Sequence, residues 1–208
     1  MSATDVSTTD ANASDRERLI ALLLERSFRV GDFVLSSGAR SAYYVDARTT
    51  TTHAEGQAVV GRLGLAAIRG AGLSPAAVGG LTLGADPVAY AIAHASWTLG
   101  DPVNAFTVRK EPKAHGTGKR VEGCFAAGDK VVVIEDTVTT GGSAIKAIHA
   151  VEAEGGKVLA VLALVDREEG GREAIERAGY PVHTLVRVSE LLAASGGGAD
   201  EGAGGAGI

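Results

Sequence analysis

Short apolar stretches alternate with segments of helical spacing along most of the chain. Five stretches are predicted to be strands: AAVGGLTL from Ala76, VNAFTVR from Val103, KVVVIED from Lys130, KVLAVLALVD from Lys157 and VHTLVRV from Val182. The runs VVVI and VLAVLALV are continuous rather than alternating, which is typical of strands that helices cover on both faces. The repetition of strand and helix therefore predicts a doubly wound α/β fold with a mainly parallel sheet flanked by helices.

Polar residues at the starts of apolar-periodic segments mark the predicted helices. Ser14 and Glu17 form a capping-box pattern before RLIALLLERSF, and Thr52 with Glu55 repeats that pattern before a helix that reaches about Arg69. Three later helices are predicted: one from the cap Asp86 and Pro87 to about Ser96, one over about 142–154 and one over about 172–178.

The two ends of the chain differ in composition from the rest. Residues 1–13 are rich in Ser, Thr and Asp, and residues 195–208 are mostly Gly and Ala. Such segments have little to bury, so we expect both tails to be disordered. The remaining residues, 14–194, are predicted to form one domain, which suits a chain of 208 residues.

Composition and charge narrow the classes of function. The net charge of −5 argues against a protein that binds nucleic acid through bulk positive charge. Cys124 is the single cysteine and the five histidines are far apart, so neither a disulfide nor a metal site made only of protein side chains is expected. The polar N-terminus and the lack of a long apolar run predict a cytoplasmic protein without a membrane span.

The stretch VVVIEDTVTTGGSA, from Val131 to Ala144, carries the most informative chemistry. Its glycines, the hydroxyls of Thr139, Thr140 and Ser143, and the start of a helix are typical of an anion cradle, although the pattern is not a Walker A loop. Threonines that merely cap a helix would leave the two preceding acids, Glu135 and Asp136, unexplained. A ribose 5-phosphate unit explains both halves, because carboxylates accept hydrogen bonds from sugar hydroxyls while the cradle holds the phosphate.

Two other segments follow strands, where ligands of such sheets bind. The segment after VNAFTVR is polar, contains two glycines and concentrates cations: Arg109, Lys110, Lys113, Lys119 and Arg120, with His115. It is either a solvated surface loop or a mobile loop that closes over a polyphosphate. The small residues from Gly84 to Asp86 form either an ordinary capped turn or a second anion-binding turn.

These stretches together resemble a known enzyme family. VVVIEDTVTTGGSA resembles the phosphoribosyl pyrophosphate (PRPP) signature of the type I phosphoribosyltransferases. FVLSSGARSAYYVDAR, VRKEPKAHGTGKRVEG and LVDREEGG resemble the substrate hood, catalytic loop and orotate-contacting turn of its orotate branch. The resemblance runs from about residue 14 to 194. It implies the type I fold with a small N-terminal hood, and transfer of the phosphoribosyl group of PRPP to orotate, giving orotidine 5-monophosphate for UMP biosynthesis.

The resemblance also implies a role for each matching residue. Catalysis would involve Lys113, Asp136 and Glu135, the two acids binding the ribose hydroxyls. The 5-phosphate would lie on Thr137, Val138, Thr139, Thr140, Gly141, Gly142 and Ser143. Other contacts to PRPP would come from Arg109, Lys110, Lys113 and His115, with part of their loop crossing a homodimer. Orotate would lie against Thr139, Arg167 and Tyr44, beside Val45. The cofactor would be Mg²⁺, held mainly by PRPP.

The sequence departs from the family pattern at two lysine positions and at the pair Tyr44-Val45, which is often more aromatic, and it leaves other interpretations open. Many members have lysine where Ser36 stands and some have it where Gly84 stands, so two cations are missing from the pyrophosphate or base region. Arg167 could instead be a surface residue paired with Glu168 or Glu169. The alternatives to the function are transfer to another base, such as a purine, and a PRPP-sensing regulator that binds nucleic acid. The acidic charge and the retained basic loop disfavour the regulator.

Overall fold

The computed structural model describes residues 3–34, 38, 40–111 and 119–196. A π-helical turn, Leu23–Ser27, follows the first helix. The helices are α1 (Ala3–Leu22), α2 (Arg48–Thr51), α3 (Ala54–Gly70), α4 (Ala85–Thr98), α5 (Gly142–Ala153), α6 (Gly171–Arg177) and α7 (Val188–Gly196). The strands are β1 (Phe28–Val34), β2 (Arg40–Val45), β3 (Ala77–Leu81), β4 (Asn104–Val108), β5 (Val121–Gly123), β6 (Lys130–Val138), β7 (Lys157–Asp166) and β8 (Val182–Arg187).

Six strands form the main sheet in the order β5-β4-β3-β6-β7-β8. Five of them are parallel, and β5 runs antiparallel to β4 at one edge. Successive residues of β6 enter opposite layers of the core, with Val132 packed on one side and Val133 on the other. The continuous apolar runs thus have the predicted cause, because helices cover both faces of the sheet. The predicted α/β fold is confirmed.

The N-terminal hood is a separate antiparallel hairpin of β1 and β2, in which Phe28 pairs with Val45. Its burial alternates along β2, so one row of side chains faces the body of the protein and the other faces outward. Tyr43 belongs to the inward row and stacks on Phe28 with 5.8 Å between the ring centroids. The hairpin therefore places β2 above the edge of the main sheet where β6 and β7 end.

Three predicted helix starts are wrong in detail. The first helix begins at Ala3 and passes through Ser14, so the predicted start at Ser14 is wrong. The disorder expected for residues 1–13 stays a prediction. Neither Gly nor Pro interrupts this segment, and helix extends at low cost from a part that is already packed. Of the predicted second tail, residues 195 and 196 end α7, and residues 197–208 lie outside the described residues.

The caps at Thr52 and Asp86 are also wrong. His53 precedes α3 and Gly84 precedes α4, and neither position has a side-chain cap bond within the described residues. Asp86 lies inside α4 and instead accepts hydrogen bonds from the hydroxyls of Thr82 and Thr107, at 2.6 and 2.9 Å. A carboxylate that two hydroxyls already satisfy is not available to cap its own helix, so tertiary contacts overrode the local signal.

Candidate active site

The predicted anion cradle forms where β6 meets α5. Residues 137–143 and Glu135 surround a small cavity of about 70 Å³. Gly141 precedes α5 with a φ of +79°, a left-handed conformation that favours glycine and turns the chain sharply into the helix. Gly142 and Ser143, the first two residues of α5, line this cavity, and the amides at the start of a helix favour anions. The structure thus brings all seven predicted cradle residues together.

The two acids stand beside the cradle and are largely withdrawn from water. Glu135 is only 8% exposed, and within the described residues its Oε2 has no hydrogen-bond partner. Burial, the adjacent charge of Asp136 and a hydrogen bond to it raise the pKa of Glu135 to about 8. Burial also raises the pKa of Asp136, against the opposing hydrogen bond from the Thr137 amide to Oδ1 at 2.9 Å. Two neighbouring carboxyl groups with so little access to water suit a ligand that supplies hydrogen-bond donors.

A larger cleft of about 360 Å³ extends from the acids to the hood. Its walls contain eight residues that the sequence predicted for the site: Tyr44, Lys110, Glu135, Asp136, Thr137, Thr139, Ser143 and Arg167. Val45 and Gly84 line it as well. Arg109 borders an adjoining opening that it shares with Lys110. Lys113, His115 and Ser36 lie outside the described residues.

Arg167 lines this cleft and is not a surface residue, since its side chain is 9% exposed. Its Nη2 forms an ion pair with Glu169 Oε1 at 2.7 Å. Arg167 therefore makes the predicted contact with Glu169 and also lines the cleft. A buried guanidinium at the wall of a cleft suits a planar carboxylate ligand.

The cleft and the adjoining small cavity thus bring together the predicted cradle residues, the two acids and the buried Arg167. No family model matches the chain. A protein of Aquifex aeolicus (strain VF5), named orotate phosphoribosyltransferase, is 48% identical over 181 residues, which cover 86% of this chain and 98% of that protein. The chain belongs to the orotate phosphoribosyltransferase family.

Solved structures agree with this assignment. The orotate phosphoribosyltransferase of Mycobacterium tuberculosis H37Rv, in complex with Fe(III) dicitrate, matches with a TM-score of 0.76 at 45% identity and covers 85% of this chain and 98% of its own. The complex of the same enzyme with PRPP matches with a TM-score of 0.72 at 42% identity and the same coverage. As a member of the orotate phosphoribosyltransferase family, the chain is a transferase.

Two cleft features of this family member were missed in the sequence. Tyr43, the neighbour of the predicted Tyr44, donates a hydrogen bond to Glu169 Oε1 at 2.9 Å, and the Arg167 guanidinium carbon lies 5.0 Å from its ring centroid. Arg48 also lines the cleft, paired with Asp46 at 2.8 Å, and its charge lowers the pKa of Asp136 against the effect of burial. Period-two alternation in SAYYV could have assigned Tyr43 to the inward row, whereas nothing local singles out Arg48.

Hydrogen bonds hold the two described ends of the basic loop in place in this phosphoribosyltransferase. The Arg120 guanidinium donates to the carbonyls of Arg109 and Lys110 at 3.0 and 3.1 Å. Glu154, at the end of α5, accepts from the amides of Arg120 and Val121 at 2.7 and 3.0 Å. These contacts fix the described ends of the loop next to the cleft, so the loop starts from a defined position.

The raised pKa of Glu135 predicts a pH-dependent stability in the ligand-free protein. The pKa of Glu135 is about 8 in the folded chain and has the ordinary value of 4.5 in the unfolded chain, so between these two pH values the folded chain keeps a proton that the unfolded chain has released. The free energy of unfolding therefore falls as the pH rises from 4.5 to about 8. Glu135→Gln keeps the neutral shape and should raise the melting temperature at pH 8 by at least about 2 °C, with little change at pH 5. The measurement is thermal unfolding from pH 5 to 8.5, with the exposed Glu173→Gln as control. Parallel pH curves for parent and Glu135→Gln would contradict the assignment.

Proposed function

We propose that the chain transfers the phosphoribosyl group of PRPP to orotate, giving orotidine 5-monophosphate and pyrophosphate, in the cleft between the hood and the sheet edge. The observation that carries this proposal is the meeting of three groups at one edge of the sheet: the predicted cradle residues, the acids Glu135 and Asp136, and the buried Arg167. A ligand with a phosphate, a hydroxylated ring and a carboxylated base offers a partner to each of these groups. The PRPP complex of the related Mycobacterium tuberculosis enzyme supports the first substrate.

PRPP lies with its 5-phosphate in the cradle and its ribose beside the acids. Glu135 and Asp136 accept hydrogen bonds from the 2- and 3-hydroxyls, and binding draws the proton of Glu135 away because the hydroxyls donate to a carboxylate more strongly than to an acid. Positive charge develops on the ribose ring as pyrophosphate leaves, much as in the cleavage of glycosides. Carboxylates in a water-poor pocket stabilise that charge.

Orotate lies beside Arg167 in the same cleft. The Arg167 guanidinium meets its carboxylate, while Tyr44 and Thr139 border the ring. The attacking ring nitrogen can arrive as an anion, so the reaction needs alignment rather than a strong general base. This arrangement distinguishes orotate from uracil through a single charged contact.

Pyrophosphate leaves toward the cations at the start of the basic loop. Lys110 borders both the cleft and the adjoining opening, and Arg109 borders the opening. Their positive charge stabilises the departing anion. The catalytic role of Lys113 and the PRPP contact of His115 stay predictions.

Mg²⁺ fits the chemistry of the cleft. The partnerless Oε2 of Glu135 and the carboxylate of Asp136 are the hard oxygen donors that this ion prefers. In the part of the chain that the structure describes, no group of three or more acidic, His or Cys side chains could hold a metal. Most ligands of a bound Mg²⁺ would therefore come from PRPP, with these two acids nearby. The ion would offset the charge of the pyrophosphate when bound.

A competition among bases tests the proposed substrate. The protein is incubated with PRPP, Mg²⁺ and an equal mixture of orotate, uracil, adenine and hypoxanthine, and the nucleotides are identified by mass spectrometry. Orotidine 5-monophosphate should be nearly the sole product, because Arg167 recognises a carboxylate that the other three bases lack. A purine nucleotide as the main product would show that the substrate is a purine and not orotate.

The loop of a homodimer is proposed to enter the partner's site, as the family resemblance implies. Lys113→Ala and Asp136→Asn should each be nearly inactive alone. Mixing them should restore activity, because one site of the hybrid dimer then carries neither change. Activity is measured after mixing, with subunit exchange verified by a mass tag on one variant. No recovery despite exchange would place the loop in the site of its own chain.

The remaining predictions from sequence concern the surroundings of the protein. No helix in the described ranges combines the length and apolar character that crossing a membrane requires. The cytoplasmic location and the absence of nucleic-acid and membrane partners stay predictions.

A further inference from the structure

Gly84 occupies a position where its backbone does not require glycine. It lies between β3 and α4, immediately before the first residue of the helix, with a φ of −65° and a ψ of −42°. These angles lie in the right-handed helical region that every residue adopts, and alanine is the better helix former there. The reason for glycine must therefore be sought in what surrounds its Cα.

The surroundings of Gly84 leave no room for a side chain. A Cβ placed on Gly84 would lie 2.5 Å from each of the three atoms Cγ, Oδ1 and Oδ2 of Asp136. Nonbonded carbon and oxygen atoms do not approach so closely, so either the turn or the carboxyl group would have to move. The carboxyl group is the smaller unit, but it is not free to move without cost.

Three neighbours define the position of the Asp136 carboxyl group. Its Oδ1 accepts the amide hydrogen of Thr137 at 2.9 Å. The adjacent Glu135 and the positive charge of Arg48, which line the same cleft, also act on it. Moving the carboxyl group away from position 84 would disturb these contacts together, and would shift the acid relative to the cradle.

We infer that Gly84 is a positioning residue that acts through Asp136: its bare Cα makes the space in which the carboxylate faces the ribose. This inference rests on the proposed role of Asp136 in binding the ribose of PRPP. It also gives position 84 a role in setting affinity for PRPP without touching the reacting atoms. In this chain, a side chain at position 84 should weaken that affinity even where the fold accepts it, whereas members with lysine there would have to place this carboxyl group differently.

The test compares PRPP affinity, measured by calorimetry with Mg²⁺, in the parent, Gly84→Ala, Asp136→Ala and the double variant. Gly84→Ala should weaken PRPP binding at least about 10-fold, while its melting temperature should stay within a few degrees of the parent's, because the helix preference of alanine offsets part of the cost of moving the carboxyl group. In the Asp136→Ala background the same change should cost less than about 2-fold, because the group that it displaces is gone. Gly70→Ala is the matched control, since Gly70 ends α3 and nothing described lies within 4 Å of its Cβ position.

Each result decides the matter. The inference would be overturned if Gly84→Ala bound PRPP with an affinity within about 2-fold of the parent's. It would also be overturned if Gly84→Ala weakened binding equally in the parent and in the Asp136→Ala variant, because the added methyl group would then block the cleft itself. If Gly84→Ala lowers the melting temperature, the double variant with Asp136→Ala should regain the lost stability, because the carboxyl group that collides with the new Cβ is gone. A double variant that regains none of it would overturn the inference. A parent that binds PRPP but does not consume orotate would refute the proposed substrate and leave the affinity comparison intact.

Discussion

Asp136→Asn should lower turnover at least about 100-fold while changing the melting temperature by no more than a few degrees. Asparagine keeps the shape of the side chain, and its amide oxygen can still accept the Thr137 N–H that Oδ1 accepts at 2.9 Å. What it removes is the negative charge beside the ribose. The loss should therefore appear in the chemical step, where positive charge develops on the ring, rather than in folding. Turnover and thermal unfolding are measured on the same preparation.

Asp129→Asn is the matched control for this substitution. Asp129 also accepts one backbone amide, that of Ala126 at 2.8 Å, but it lies at a turn outside the cleft. Both changes remove one charge and leave one backbone hydrogen bond in place, so they differ mainly in location. Turnover of Asp136→Asn within twofold of the parent would refute the assignment of the acids to the ribose. Equal losses in both variants would point to a general effect of charge.

Arg167→Ala should raise the Michaelis constant for orotate and lower kcat/KM for orotate at least about 30-fold, because one partner of a desolvated charged contact costs about 2–5 kcal/mol to remove. The Michaelis constant for PRPP should change far less, since the cradle is untouched. Uracil should be a very poor substrate for the parent and should lose little further in the variant, because it has no carboxylate to lose. The measurement is steady-state kinetics with each substrate varied in turn.

Arg167 has structural contacts besides its proposed contact with orotate, and the experiment must distinguish the two effects. Arg167 also pairs with Glu169 and lies over the Tyr43 ring, so its removal leaves Glu169 without that cation. Arg172→Ala is the control, because Arg172 forms a comparable pair with Glu176 at 2.9 Å on α6 outside the cleft. Equal damage to orotate and PRPP kinetics by Arg167→Ala would mean that the residue supports the fold instead of choosing the base.

The elements that the sequence predicted best are those whose cause is local. The run KVVVIED is apolar at consecutive positions because β6 is covered on both faces, and the glycines that follow are needed where Gly141 turns left-handed before α5. Period, turn chemistry and helix start all act within a few residues of one another. The strand, the turn and the start of the helix could therefore be predicted from the local sequence, while the role of each residue in holding a phosphate stays a prediction from the resemblance.

The features that escaped prediction depend on contacts between distant segments. The hood was implied only by the family resemblance, and its two strands were not predicted from the pattern because they form an exposed two-stranded sheet. Alternation along SAYYV could have separated Tyr43 from Tyr44, but its contact with Arg167 depends on how the hairpin packs. The role of Asp86 depends on Thr107, which is 21 positions away. Gly84 is explained only by a carboxyl group on another strand.

The most direct test of the account follows the ultraviolet absorbance of orotate after PRPP and Mg²⁺ are added to the purified protein. We expect the absorbance of orotate to fall as orotidine 5-monophosphate forms and pyrophosphate to appear in equal amount. Neither change should occur without PRPP. A protein that is folded by thermal unfolding and binds PRPP, yet leaves the orotate absorbance unchanged, would contradict the central claim.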